Sequence, residues 1–184
     1  LGKLKHLAAT LKLPAVYAWI DRWMADSDGK LLVFGIHRET VVEAIHKKYP
    51  GSAIVTGAVT GKRRQLAIDK FLRDKKCRLF VGNVEAAGVG WSAKGVSDVA
   101  FVELPWSPGK VAQAEDRCHG IGRGVENKRT TSWTLVGRGT IEEKLAEILQ
   151  RKQRTLSKVL DGKSNDEDLN VFDLLTQALK EEPA

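Results

Sequence analysis

The chain has 184 residues, 42% hydrophobic and 29% charged, a globular composition that excludes collagen-like, wholly disordered and disulfide-scaffold classes. That length fits one α/β domain around one core and leaves no room for two full catalytic lobes. The net charge of +7 is uneven, with 11 Lys/Arg against 4 Asp/Glu in residues 31–80.

In chain order, Trp19, Ile20 and Trp23 predict an amphipathic leading helix within residues 1–29. Residues 31–36 (LLVFGI) read as a buried strand, and 39–49 as a helix with Val41, Val42 and Ile45 on its apolar face. A short strand at 52–56 precedes a turn at 57–61 and a helix at 64–72 carrying Leu66, Ile68, Phe71 and Leu72. Further strands are expected at 78–81, 99–104 and 131–136, with a helix at 109–118 between the last two. Thr140 is placed to cap a long helix whose Ile141, Leu145, Ile148 and Leu149 recur at helical spacing, with Glu142 and Glu143 in its first turn. An acidic stretch through Asp168 then leads to a last short amphipathic helix through Leu169, Phe172, Leu175 and Leu179. This alternation, with strands lacking polar alternation, predicts an α/β fold whose mainly parallel sheet is covered on both faces. In such sheets ligands gather at the carboxyl ends of the strands, which directs attention to the loops at Gly35, Gly57, Gly82, Pro105 and Gly137.

No apolar run approaches the roughly 20 residues that cross a bilayer, so an intracellular protein with no membrane partner is expected. Starting at Leu1 rather than Met predicts a piece of a longer chain. Cys77 and Cys118 are too few for a disulfide framework or a thiolate zinc cage, and they read as buried free thiols with no metal site. Lys62, Arg63, Arg64, Lys70, Arg73, Lys75, Lys76 and Arg78 face only Asp69 and Asp74, the footprint of a phosphate-backbone contact or of a solvated helix face.

Phosphate-loop look-alikes fail on spacing. Residues 57–62 (GAVTGK) leave three residues between the glycines where four are needed, and Arg63 stands where Ser or Thr would hold magnesium. Before Gly162, Lys163 and Ser164 the opening glycine is missing, position 157 being Ser. Gly88, Gly90 and Ala93 fit a dinucleotide fingerprint, but the next strand begins too soon for its crossover helix, so a flexible glycine loop is the better reading. Residues 113–123 (QAEDRCHGIGR) are the most informative. On a helix, Gln113 and Arg117 project from one face, and arginine suits a phosphate that gains charge during transfer. Asp116 or Glu115 can brace it, and an ordinary ion-pair helix is the competing reading. Cys118 and His119 diverge on the helix, which argues against a catalytic thiol.

Four ordered segments carry a resemblance. Residues 30–38 (KLLVFGIHR) look like a strand and basic loop, and 56–71 like a "dG…R…F" segment. Residues 85–90 (EAAGVG) followed by 99–108 (VAFVELPWSP) are similar to a glycine loop, strand and "W-x-P", and 113–117 with 139–145 (GTIEEKL) to a "QAEDRxHRIGQ" motif and the element after it. Together they resemble the second, C-terminal RecA-like lobe of Swi/Snf-type ATP-dependent DNA translocases of helicase superfamily two, closest in wording to the annealing-helicase subgroup. The resemblance covers about residues 30–163, with 1–29 as a leading helical segment and 164–184 as an acidic tail. It implies a RecA-like three-layer sandwich and an ATP site, with Mg2+, held mainly by a first RecA-like lobe of the same parent chain. On that match Arg117 is the finger toward the γ-phosphate with Gln113 alongside, while Gly88, Gly90 and Asp116 line the cleft. The family's second arginine falls at Gly120 here, and Arg123 is the spacing-based substitute. Double-stranded DNA would run across His37, Arg38, Gly57, Arg63, Arg64 and Asn83, while Trp106, between Pro105 and Pro108, either stacks on a base or, the more common use of such a Trp, packs against the lobe; the DNA contacts are to phosphates and independent of sequence. The isolated segment is expected to be inactive. Two alternatives stay open: a degenerate, non-catalytic DNA- or protein-binding lobe, which Gly120 favours, and an RNA helicase lobe.

Overall fold

A computed structural model of the chain describes residues 1–84, 91, 93, 96, 98–119, 131–160 and 174, with residues 108, 116–119 and 153–160 described by backbone alone. Two consecutive helices, α1 (Gly2–Leu11) and α2 (Leu13–Asp26), lead into strand β1 (Leu31–Gly35). A single π-helical turn (Arg38–Val42) runs into α3 (Glu43–Lys48), followed by β2 (Ala53–Val55), α4 (Gly61–Arg73) and β3 (Leu79–Asn83). Then come β4 (Asp98–Phe101), α5 (Pro108–His119), β5 (Thr131–Thr134) and α6 (Ile141–Leu160).

The strands form one sheet in the order β2-β3-β1-β4-β5, and each neighbouring pair is parallel. Alternation along β1 splits the core into two layers. Leu32 and Phe34 pack with Ile68 and Phe71 of α4 and Val111 and Ala114 of α5, whereas Leu31 and Val33 pack with Ile20 and Trp23 of α2 and Ile45 of α3. The expected three-layer α/β sandwich is therefore present, and α1 and α2 contribute Ala9, Leu13 and Val16 to one of its layers. Thr140 caps α6, accepting the Glu142 N–H at 3.2 Å, while the long apolar side of that helix closes a third cluster with Leu104 and Trp106.

Three expectations are corrected. The helix expected at 39–49 is a π turn followed by six α-helical residues, because the Val41 and Val42 N–H groups both reach the His37 carbonyl at 3.1 Å. On α4 the core-facing residues are Ile68 and Phe71; Leu66 and Leu72 flank them and are exposed, since only one helix stripe meets the sheet. Strand β5 is an edge strand whose four residues are all exposed, unlike the buried β1 and β3. The expected tail helix lies outside the described residues apart from Leu174.

Phe71 is fully buried, with ring centroids 5.3 Å from Phe80 and 6.3 Å from Trp91. Replacing it with Ala is expected to destabilise the fold by about 3–5 kcal/mol, the scale of a deleted core aromatic. Chemical denaturation checks this; a loss under about 1 kcal/mol contradicts the packing described.

Candidate functional site

Parallel strands deliver their carboxyl ends to one edge, and the register aligns Gly35 with Asn83 and Phe34 with Phe101 there. Glu103, just beyond β4, is 1% exposed, although nothing about an isolated Glu in an apolar segment announces it. Its Oε2 accepts the backbone N–H of Ile36 at 2.7 Å and of His37 at 2.8 Å, and its Oε1 lies 2.5 Å from His37 Nδ1. One carboxylate thereby satisfies two amides and a ring nitrogen, the condition under which a buried acid is tolerated. Gly35 makes room for this: a Cβ there would sit 3.0 Å from Val41 Cγ1, 3.1 Å from Val42 Cγ2 and 3.4 Å from Glu103 Oε2.

Further braces converge on the same loop. The Asn83 side-chain amide donates to the Ile36 carbonyl at 2.6 Å. From α1, His6 stacks on His37 with centroids 4.2 Å apart, and its Nε2 lies 2.6 Å from Thr40 Oγ1. His37 is thus held with part of its ring exposed, and Arg38 beyond it pairs with Glu39 at 2.7 Å and Glu43 at 3.3 Å. Exposed pairs of this kind are worth about 0–1 kcal/mol, so Arg38 is readily exchanged to another anion.

Two lysines, Lys5 buried and Lys12 largely so, complete the edge. Lys5 donates to the Leu104 carbonyl and lies 4.6 Å above the Trp106 ring centroid; Trp106 itself is half-buried against the α6 cluster. Lys12 donates to the Leu135 carbonyl at 2.6 Å and to both Glu142 oxygens at 2.6 and 2.7 Å, while Glu142 Oε2 also accepts the Gly137 N–H at 2.9 Å. Burial lowers the Lys5 ammonium to about 8, against the opposing pull of Glu103 and Glu142. Lys12 is lowered by burial as well, with its hydrogen bond to Glu142 pulling the other way. For both, desolvation outweighs attraction.

At the same edge of the sheet, after β2, α4 begins at Gly61, whose φ of +54° lies in the left-handed region that favours glycine. Thr60 supplies no side-chain cap, and the first turn is Gly61, Lys62, Arg63 and Arg64, with no acid. Cations at the positive end of a helix dipole oppose it, and an anion held there offsets that cost. Gly57 and Arg63 are exposed in this region, and Arg64 is half-buried.

Gln113 is exposed on α5, and Glu115 accepts from Ser132 Oγ at 2.6 Å. Asp116 and Arg117 lie on the α5 backbone, with their side chains outside the described part; Gly88, Gly90, Gly120 and Arg123 lie outside the described residues. Cys77 is a buried free thiol that burial pushes up, and the Cys118 side chain is outside the described part. Among the described residues no group of three or more His, Cys, Asp and Glu could hold a metal ion, and no helix is long and apolar enough to cross a membrane.

Residues 11–122 match the family described as the helicase conserved C-terminal domain. The chain is 29% identical over 158 residues to the DNA annealing helicase and endonuclease ZRANB3 of Homo sapiens, covering 84% of this chain and 14% of that protein. It is 30% identical over 133 residues to the SWI/SNF-related matrix-associated actin-dependent regulator of chromatin subfamily A-like protein 1 homolog of Caenorhabditis elegans, covering 71% of this chain and 19% of that one. The crystal structure of the C-terminal part of the Fun30 ATPase domain superposes with a TM-score of 0.67 at 22% identity, over 91% of this chain and 53% of that one. The chain therefore spans less than a fifth of each of these two relatives.

The lysine shift sets a pH dependence. An unfolded Lys5 titrates at 10.5 and the folded one at about 8, so between those values the unfolded state binds more protons and stability rises with pH. Between pH 7.5 and 9.5 the gain from Lys5 is expected to be about 1–2 kcal/mol. Denaturant titrations at both pH values should show that Lys5→Met has a smaller rise than the unsubstituted chain; equal rises would contradict the burial cost assigned to Lys5.

Proposed function

Because the chain belongs to the helicase conserved C-terminal domain family, in its Swi/Snf-type branch, we propose that it is the C-terminal motor lobe of an ATP-dependent double-stranded DNA translocase. In this reading it works inside an intracellular protein, in nucleoid, cytoplasm or nucleus, and acts only against the first RecA-like lobe of the parent chain. Residues 30–163 are the lobe proper, with the leading helices and the acidic tail as its flanks.

The observations that carry the reading are the basic first turn of α4, with no side-chain cap, and the His37–Arg38 loop, both at the carboxyl edge of a parallel sheet. Duplex DNA offers phosphates to such a basic turn. Arg63 and Arg64, the exposed turn at Gly57, His37 and Arg38 would contact phosphates, with Asn83 bracing the loop; none of these groups is arranged to read base edges. Trp106, with Lys5 over its ring, serves this track through packing.

From the same edge rises α5, with Gln113 exposed upon it. Basic and amide side chains fit a triphosphate approaching from the partner lobe, which would itself hold ATP and Mg2+. ATP supplies the phosphoanhydride whose hydrolysis drives the lobes to open and close. This chain's part is to orient and neutralise: Arg117 meets the γ-phosphate, Gln113 and Asp116 position it, and Gly88 and Gly90 allow close backbone approach. Gly120, where the family has a second arginine, favours a second reading, a non-catalytic lobe that keeps only the DNA face.

Three outcomes are expected. Arg63→Ala should weaken duplex binding alike for unrelated sequences and reduce the slope of log affinity against log salt by about 1; an unchanged slope in anisotropy titrations contradicts a phosphate contact. In the two-lobe protein, Arg117→Ala should lower DNA-stimulated ATP turnover by about 10³-fold or more, and Gly120→Arg should raise turnover if Arg123 does not fill the gap. A two-lobe protein with no DNA-dependent turnover at all leaves the second reading standing.

A further inference from the structure

Glu103 sits between the two halves of this edge. Its carboxylate holds the Ile36 and His37 amides and the His37 ring, while its own backbone opens the segment Leu104–Ser107 that leads directly into α5. Lys5 fixes the near end of that segment through the Leu104 carbonyl, and the neighbouring His6 presses on His37. The nucleic-acid loop and the nucleotide helix therefore share one buried anchor. We propose that Glu103 is a positioning residue that couples the His37–Arg38 loop to α5, so that a phosphate backbone seated on the loop is felt at the ATP-facing helix. This rests on the DNA reading given above.

The geometry separates positioning from simple charge balance. Oε2 must reach two consecutive amides at 2.7 and 2.8 Å, which the full length of a glutamate allows. Glu103→Asp keeps the negative charge beside Lys5 but shortens the reach by one methylene. Glu103→Gln keeps the reach, its carbonyl taking both amides, and loses the charge. If Glu103 positions the loop, the aspartate is the damaged variant; if it serves only to neutralise Lys5, the glutamine is.

The test measures ATP turnover of the two-lobe protein against duplex concentration, with amide exchange at Ile36 and His37 read without DNA. For Glu103→Asp we expect a half-stimulating DNA concentration raised about tenfold or more, the scale of one lost charge-assisted hydrogen bond. Exchange at both amides should accelerate. For Glu103→Gln we expect stimulation within about threefold of the unsubstituted protein and protected amides. The opposite ranking, or an aspartate variant equal to the unsubstituted protein, overturns the role of Glu103 while leaving the DNA reading intact. An unsubstituted protein whose turnover ignores DNA overturns the DNA reading, and this inference with it.

Discussion

Every neighbouring strand pair in the sheet is parallel, and this constraint organises the rest. Parallel strands need crossovers, crossovers need helices, and helices on both faces demand strands that are apolar throughout, as β1 is. With both faces filled, variation is confined to the edges. All the strand carboxyl ends emerge on one edge, so the β1 loop, the turn before α4 and the approach to α5 share that edge despite lying far apart in sequence. A protein that must hold a nucleic-acid backbone and answer at a nucleotide has both surfaces within one short span.

That edge carries buried charge, which is a liability elsewhere in the core. Lys5, Lys12, Glu103 and Glu142 are all withdrawn from most of their water, and each has an assigned partner. Removing either Lys12 or Glu142 from their ion pair costs about 3–5 kcal/mol because the survivor is left unpaired. The pairing is also long-range: Lys12 and Glu142 close the first and last described parts of the fold onto each other.

How much of this could be read from residues alone follows from the physics of each signal. The buried strands β1 and β3 were legible because uninterrupted apolar runs bounded by Gly have few other uses. Helix α6 was legible from its cap and spacing, and the basic excess around α4 from counting charges. The π turn after His37 was not, since it depends on Glu103 and Gly35 meeting across the sheet. The leading segment was legible as helical but its division into α1 and α2 was not, because the exposed Leu4, Leu7 and Leu11 blur the amphipathic pattern, and Lys5 and His6 act only in three dimensions. Glu103 stood inside a quoted motif without being singled out, because a lone acid shows its purpose only through the amides it faces. Family resemblance located Gln113 and Arg117; spacing alone left them level with an ion-pair helix.

The central claim is that one edge of this sheet serves a DNA backbone and a nucleotide at once. A structure of the two-lobe protein with a duplex and a non-hydrolysable ATP analogue tests it most directly. The account predicts phosphates against His37, Arg38 and the first turn of α4, with the Arg117 guanidinium on the γ-phosphate. A duplex seated on another face, or Arg117 turned from the nucleotide, would contradict it.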